Sequence, residues 1–356
     1  MHEKGTAHRA IGINKTSTAE STRGKDMKRR AVAAESARQT GQVWDSLKKA
    51  AFVLGSGLFI LVAFRNSVTW HLQRFWGASG DFWQTQWGKL HSLFGGHEVA
   101  LFFLGTMLAP TIAFWSFNAM LMLADATGVP AFITRYRIQR DRNNPVEPAK
   151  LWQAVRTVLF NQFCLSAPMV MLMYPIMQWR GNPCGPELPT FHWALLEIAI
   201  FGLMEEIMFY YSHRLFHHPA LYKHFHKVHH EWTAPIGVVA LYAHPVEHVL
   251  SNMLPPMLGP MLMGSHVATT TLWFCVALVI TSISHCGYHL PFLPSPEFHD
   301  FHHLKFNQCY GVLGVLDRLH GTDTVFKKTK AYERHTLLLN LTPLSESIPD
   351  TPKQGE

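Results

Sequence analysis

Charge is the first thing this chain is short of. Asp, Glu, Lys and Arg make up only 15% of 356 residues, while 48% are hydrophobic; ordinary soluble domains carry about 25% charged residues. The deficit is local, with residues 99–124, 157–179 and 249–284 bearing no formal charge. That excludes an ordinary water-soluble globule and indicates membrane helices. Cysteine is also scarce. Cys164, Cys184, Cys275, Cys286 and Cys309 form no CxxC pair, which excludes a disulfide scaffold and a thiolate metal site. Neither G-x-S-x-G nor H-E-x-x-H occurs, so the serine-hydrolase elbow and the zinc-protease helix are absent. The net charge of +7 does not indicate nucleic acid, because the basic residues sit in an N-terminal tail and in short loops between apolar stretches.

Residues 1–49 carry eleven Lys/Arg and five Asp/Glu and lack the apolar core of a secretory signal, so they are expected to form a disordered tail. The apolar run 50–64 is a short first span, followed by an interfacial segment containing Trp70, Trp76, Trp83 and Trp87. Residues 99–124 and 157–179 are long enough to cross a bilayer, as is 191–211, which contains Glu197, Glu205 and Glu206. Carboxylates at a membrane-embedded helix end are functional candidates; the alternative is a helix end emerging into water. Residues 249–284 exceed one crossing, and Pro255, Pro256, Gly259 and Pro260 predict a hairpin or re-entrant arm before a final span. The expected fold is all-α: a polytopic membrane protein with four to six membrane helices and a cytoplasmic histidine-rich helical cap. Its expected divisions are the tail 1–49, membrane helices 50–194, a histidine-rich domain 195–326 and a C-terminal tail 327–356. Lys/Arg number eleven in the tail, three in 65–97, six in 125–156 and one in 180–190. This alternation predicts a cytoplasmic N-terminus and puts the histidine groups on the cytoplasmic side.

What the chain has in excess is histidine. Fifteen of 23 fall between His213 and His303, and ten form four tight groups: His213/His217, His226/His229/His230, His285/His289 and His299/His302/His303. On an α-helix, positions i, i+3 and i+4 share a face, so each group can present its rings together. One such pair is more often surface or core than ligand. Four groups in 91 residues are different, because imidazole is a mediocre helix former and a poor apolar filler. Four ligands satisfy a structural zinc site; ten fit two metals with positions open for a small molecule. Imidazole binds zinc, copper, iron and nickel alike and does not name the metal. An all-nitrogen pair of irons at a membrane face suits activation of O2 against an unactivated C–H bond of a lipid.

The ordered boxes carry a resemblance. HRLFHHPALYKHFHKVHHEWTAPIG, YAHPVEH, HCGYHLP, FHDFHHLKFNQCYG and LDRLHGTD resemble the fatty acid hydroxylase/sterol desaturase superfamily of membrane di-iron oxygenases, and within it the C4-methylsterol oxidase branch, over about residues 195–326. The resemblance implies an endoplasmic reticulum membrane enzyme with two iron ions facing the cytoplasm. It implies O2 as oxidant, with cytochrome b5 and its NAD(P)H-dependent reductase as electron source. It carries ligand roles onto His213, His217, His226, His229, His230, His285, His299, His302 and His303, and His289, the helical partner of His285, completes the expected ten. His244 is expected to orient a ligating ring from outside, and Asp300 either to do the same or to lie exposed on the opposite helix face. His218, His224 and His248 fall outside the pattern and are expected to face solvent, headgroups or Glu247, and Asp317 and Asp323 to organise a turn. No His-Pro pair continues as the HPGG haem signature, so electrons are expected from a separate protein; the basic patch Lys305, Arg318, Lys327, Lys328 and Lys330 is suited either to steering an acidic donor or to binding anionic headgroups. The leading expectation is oxidation of a sterol C4-methyl group. The alternatives are hydroxylation or desaturation of an acyl or sphingolipid chain, and a non-catalytic metal-containing scaffold or sterol sensor.

Overall fold

In the computed structural model, residues 16–181 and 183–350 are described, and among them there are helices, turns and one isolated backbone bridge between Arg137 and Tyr288, with no strand. The chain divides into two units, residues 1–79 and 80–356. In the first unit the described part is helical: α1 runs Thr16–Phe94. The disordered tail expected over 1–49 is therefore helix from Thr16 onward, and the expectation for residues 1–15 lies outside the described residues. No proline precedes Pro110, and Ala, Glu, Lys, Arg and Gln dominate residues 27–50, all good helix formers. Within 50–64, Phe52, Val53, Leu54, Leu58, Phe59 and Ile60 are all exposed, so this stretch is apolar on every side.

The second unit begins with the end of α1, where Trp87 Nε1 donates to the Gly185 carbonyl (3.0 Å) and Gln84 Nε2 to that of Pro186 (2.8 Å). Then come α2 (Glu98–Thr127) and α3 (Pro148–Arg180), each interrupted by one π-helical turn, at Leu104–Leu108 and Asn161–Ser166. α4 (Phe191–Phe216) starts at Thr190, whose hydroxyl caps the Trp193 amide (3.4 Å). A π-helical segment, His248–Met253, leads into α5 (Leu254–Met263), which ends at Gly264 with φ 64°. α6 (Val267–His285) follows directly, then α7 (Glu297–Lys305) and the short α8 (Val315–His320).

Among the described residues, α2, α3 and α6 are long and apolar enough to cross a membrane, which makes the chain a membrane protein. They contain two of the expected spans and the last part of the third. The expected arm before that span is the His248–Met253 segment plus α5, too short to cross. α4 is long, but Glu197, Glu205 and Glu206 interrupt its apolar run.

Packing follows side-chain size. α5 lies along α4, and Gly259 permits the approach: a Cβ there would sit 2.7 Å from Phe201 Cδ1 and 3.0 Å from its Cα. Phe102, Met173, Met177, Phe201, Met257 and Trp273 form one apolar cluster shared by α2, α3, α4, α5 and α6. A second apolar cluster joins Phe114, Val158, Trp232, Ile236 and Val238, burying the whole chain segment 234–243 against α2 and α3. The segment after α8 is not a detached tail. Leu338 is buried with Tyr136 and Tyr288, and Arg334 bonds the Ile348 carbonyl (3.1 Å) and Asp350 (2.9 Å).

Candidate metal centre

The histidines reach their places by different routes. His213 lies on the last turn of α4 and His217 is its C-cap, so HRLFH keeps the expected helical spacing. His299, His302 and His303 lie on α7, which ends at Phe306 with φ 65°. HKVHH is not helical as expected; it occupies turns that tighten into a 3₁₀ segment at His229–Glu231. His285 closes α6, and the chain then turns at Gly287, whose φ of 69° favours glycine.

That turn removes His289 from the expected set. Its Nε2 donates to the Thr336 carbonyl (2.9 Å), and its Nδ1 lies 3.5 Å from Glu297 Oε1. The other nine form two nests. His213, His217, His226, His230 and His302 make one; His229, His285, His299 and His303 make the other, with ligand atoms in each nest within 4.8 Å of one another. The nests lie side by side, with the His230 and His303 rings 4.9 Å apart. Neighbours in sequence are divided between them, His229 from His230 and His302 from His303. A helix advances about 100° per residue, so His302 and His303 point apart while His299 and His303, four apart, share a face.

The proton positions follow from the outer partners. Nδ1 of His213 donates to the Tyr310 carbonyl (2.8 Å), His229 to Tyr242 (2.9 Å), His285 to Thr281 (2.7 Å), His302 to Gln308 (2.7 Å) and His303 to Trp232 (3.0 Å). A carbonyl can only accept, so these rings carry their proton on Nδ1 and turn a bare Nε2 inward. His226 Nδ1 bonds Glu247 Oε1 at 2.7 Å. The inward Nε2 atoms approach to 2.8–3.2 Å in the first nest and 2.9–3.4 Å in the second. Where both rings carry the proton on Nδ1, as in His229 and His285 at 3.4 Å, the facing lone pairs repel, and a cation between them converts the repulsion into ligation. The donor set therefore fits a metal in each nest. Burial pushes His229 down to about 4 and holds His226, His230, His299, His302 and His303 well below the ordinary imidazole range. Neutral imidazole is the form that ligates.

The carbonyl acceptors are themselves held in place. Asn161, in the π turn of α3, donates through Nδ2 to the Leu241 (2.9 Å) and Ala243 (3.0 Å) carbonyls, flanking Tyr242. Asp317 on α8 accepts from the Tyr310 (2.8 Å) and Gly311 (2.6 Å) amides, the turn-organising role expected of it. Glu206 on α4 does not emerge into water; it is buried and accepts from the Val312, Leu313 and Leu316 amides (2.9, 2.7 and 3.0 Å).

The expected outer residues are elsewhere. His244 caps a short turn by accepting from the Val246 amide (3.2 Å) and packs on Phe225, without touching a nest. Asp300 is buried and accepts from Gln139 Nε2 (3.0 Å), not from a ring. The carboxylate that reaches a nest ring is Glu247, three residues after His244 in the HPVE segment, where a lone acid in the otherwise uncharged stretch 232–296 was the available signal. His218 and His224 are exposed as expected, but His248 is fully buried. The basic patch is partly neutralised, since Lys327 and Arg318 meet Asp323 at 2.9 and 3.6 Å and Lys330 meets Glu333 at 2.7 Å.

Comparison with known proteins agrees with this geometry. Residues 198–322 match the fatty acid hydroxylase family. The chain is 67% identical over 320 residues to fatty acid hydroxylase domain-containing protein 2 of Macaca fascicularis, covering 90% of this chain and 96% of that one. It is 32% identical over 264 residues to a very-long-chain aldehyde decarbonylase of Oryza sativa subsp. indica, covering 70% and 94%. It is 28% identical over 272 residues to methylsterol monooxygenase 2-1 of Arabidopsis thaliana, covering 70% and 97%. No solved structure matches the chain. With two histidine nests able to bind metal and relatives aligned along most of its length, the chain belongs to the fatty acid hydroxylase family of oxygen-dependent oxidoreductases.

Proposed function

We propose that this protein is a lipid monooxygenase of the endoplasmic reticulum membrane that holds two iron ions, one in each histidine nest, and oxidises a C4-methyl group of a sterol. The observation that carries the reading is the pair of adjoining all-nitrogen nests with inward-facing Nε2 atoms at the end of apolar helices. The sterol assignment draws on the box-flanking sequences and on the relative named as a methylsterol monooxygenase, which aligns along nearly its whole length.

Iron held by the nest histidines would supply the activation of O2, one oxygen atom going into the C–H bond and the other leaving as water with two electrons and two protons. The chain's own residues do the rest. Nine imidazoles offer their lone pairs, and the carbonyls of Trp232, Tyr242, Gln308 and Tyr310 fix the ring orientations from behind. Glu247 places a carboxylate on the first nest through His226. The buried segment 234–243 holds the Tyr242 carbonyl behind His229. The termini are read as cytoplasmic, with the electrons delivered by cytochrome b5 and its NAD(P)H-dependent reductase.

Purified protein reconstituted with those two partners should contain iron and convert a 4,4-dimethylsterol to its 4-hydroxymethyl product with consumption of O2. Iron without O2 consumption would identify a scaffold. Cells lacking the protein should accumulate 4-methylsterols; a fall in 2-hydroxy lipids instead would assign the chain to acyl hydroxylation.

A further inference from the structure

The two nests are not equally buried. All four histidines of the His229 nest are buried, whereas in the other nest His217 is partly exposed. Two aromatic rings stand beside that second nest. The Tyr222 ring centre lies 5.7 Å from that of His217 and 6.0 Å from those of His226 and His230. Phe306, just past the end of α7, lies 4.7 Å from His230 and 6.4 Å from Tyr222. Both rings are partly exposed, so each meets the nest on one side and solvent on the other.

Lys223 and Lys305 are the chain neighbours of these two rings, and Lys227 directly follows His226. All three lysines are exposed, and none meets a carboxylate among the described residues. No Asp or Glu occurs in 207–230 or 301–316. Glu231, the next acid along the chain, accepts from the Tyr242 hydroxyl at 2.7 Å. Arg318, Lys327 and Lys330 of the patch read from sequence are paired with acids, whereas Lys305 is not. Between residues 218 and 227 the exposed side chains are His218, Pro219, Ala220, Lys223, His224 and Lys227, with no large apolar one. Such a face suits water and a soluble domain, not the lipid interior. Cations grouped without counter-charge repel one another and attract an acidic partner over a distance.

We propose that Lys223, Lys227 and Lys305, around Tyr222 and Phe306, form the docking face for an acidic one-electron carrier whose reduced haem supplies the electrons of each turnover one at a time. The proposal rests on the reading of the chain as a lipid monooxygenase with a separate electron donor, and it places that donor beside the His217 nest. Each transfer oxidises a ferrous haem to ferric and reduces the iron proposed for the nests by one electron; no bond is made or broken at this face. Electron transfer weakens steeply with the gap to be crossed, and here one layer of aromatic side chains separates solvent from the nest rings. Steering by charge speeds encounter without demanding a large apolar contact, which suits a carrier that must leave after each electron.

The test titrates the soluble haem domain of cytochrome b5 onto the iron-loaded protein in phosphatidylcholine nanodiscs and reads the dissociation constant by biolayer interferometry. Wild type should bind, and binding should weaken steeply between about 50 and about 300 mM salt. Reversing all three charges (Lys223→Glu, Lys227→Glu, Lys305→Glu) should weaken binding about tenfold or more, with iron per chain unchanged. The threefold Lys→Arg variant should bind like wild type. Arg142→Glu, an equal reversal on the exposed 140–142 loop, should change binding less than about twofold. Binding by the reversed protein within about twofold of wild type overturns the face, as does an equal loss in Arg142→Glu or no binding by wild type at low salt. Should the reversed protein lose iron, the threefold Lys→Gln variant decides: a loss of about threefold or more sustains the face, and no loss overturns it. If the lysines instead serve anionic headgroups, reversal leaves the donor's affinity unchanged and a fluorophore at Lys223→Cys is quenched by brominated lipid, which also overturns the face. The functional reading fails separately: iron content and sterol oxidation by wild type can hold while the donor's affinity ignores these lysines.

Discussion

At the scale of single residues, Glu247 gives the sharpest expectation. Its carboxylate is the one side-chain acid bonded to a nest histidine among the described residues, at 2.7 Å from His226 Nδ1. Burial holds Glu247 well above and His226 well below their ordinary ranges, favouring neutral forms of both, whereas a cation on the far side of the ring favours the carboxylate. Glu247→Leu should lower iron affinity or turnover about 10- to 100-fold, the usual cost of removing an outer partner, as read by metal analysis and product formation. His229→Ala removes one of the proposed ligands, and iron retention and turnover should both be lost while the protein stays in the membrane fraction. His289→Gln separates the spacing argument from the geometry. Iron per chain should not change, and thermal stability in detergent should fall by about 1 kcal/mol as the bond to Thr336 weakens. Loss of iron in that variant would return His289 to the ligand set. Spacing pointed to the nine histidines that the fold gathers into the nests, because short helical intervals bring side chains near one another in space. It misplaced His289 because the interval continues past the helix end, where Gly287 reverses the chain. The outer partners were illegible for a different reason: five are backbone carbonyls, which every residue possesses.

At the scale of elements, the apolar runs of α2, α3 and α6 were legible because lipid admits only a long uncharged helix. The helical state of residues 16–49 was not, since composition read as solvating charge also describes a good helix former. HKVHH had helical spacing without a helix. Its residues are drawn into turns by what lies behind them, with His226 tied to Glu247 and His229 to Tyr242. The contact of α5 with α4 depends on one missing side chain. Gly259→Leu should destabilise the protein by about 1–3 kcal/mol, because Phe201 offers backbone as well as ring atoms within 3.0 Å of the added carbon. A melting curve in detergent that does not move would show that the two helices separate freely.

At the scale of the whole molecule, the two nests join four parts of the chain: the end of α4, the 226–230 turns, the end of α6 and α7. A ligand that binds only the folded form stabilises it by mass action, so chelation should lower the melting temperature and ferrous iron should restore it. Unchanged melting after verified metal removal would mean that the protein framework alone holds the nests shut.

The division of His229 from His230, and of His302 from His303, ties the two nests together through single peptide bonds. An ion entering either pocket immobilises backbone that the other must also use, which reduces the disorder left for the second arrival to overcome. Titrated with less iron than it can hold, the population should sort into empty and doubly filled molecules, and half-filled ones should be rare.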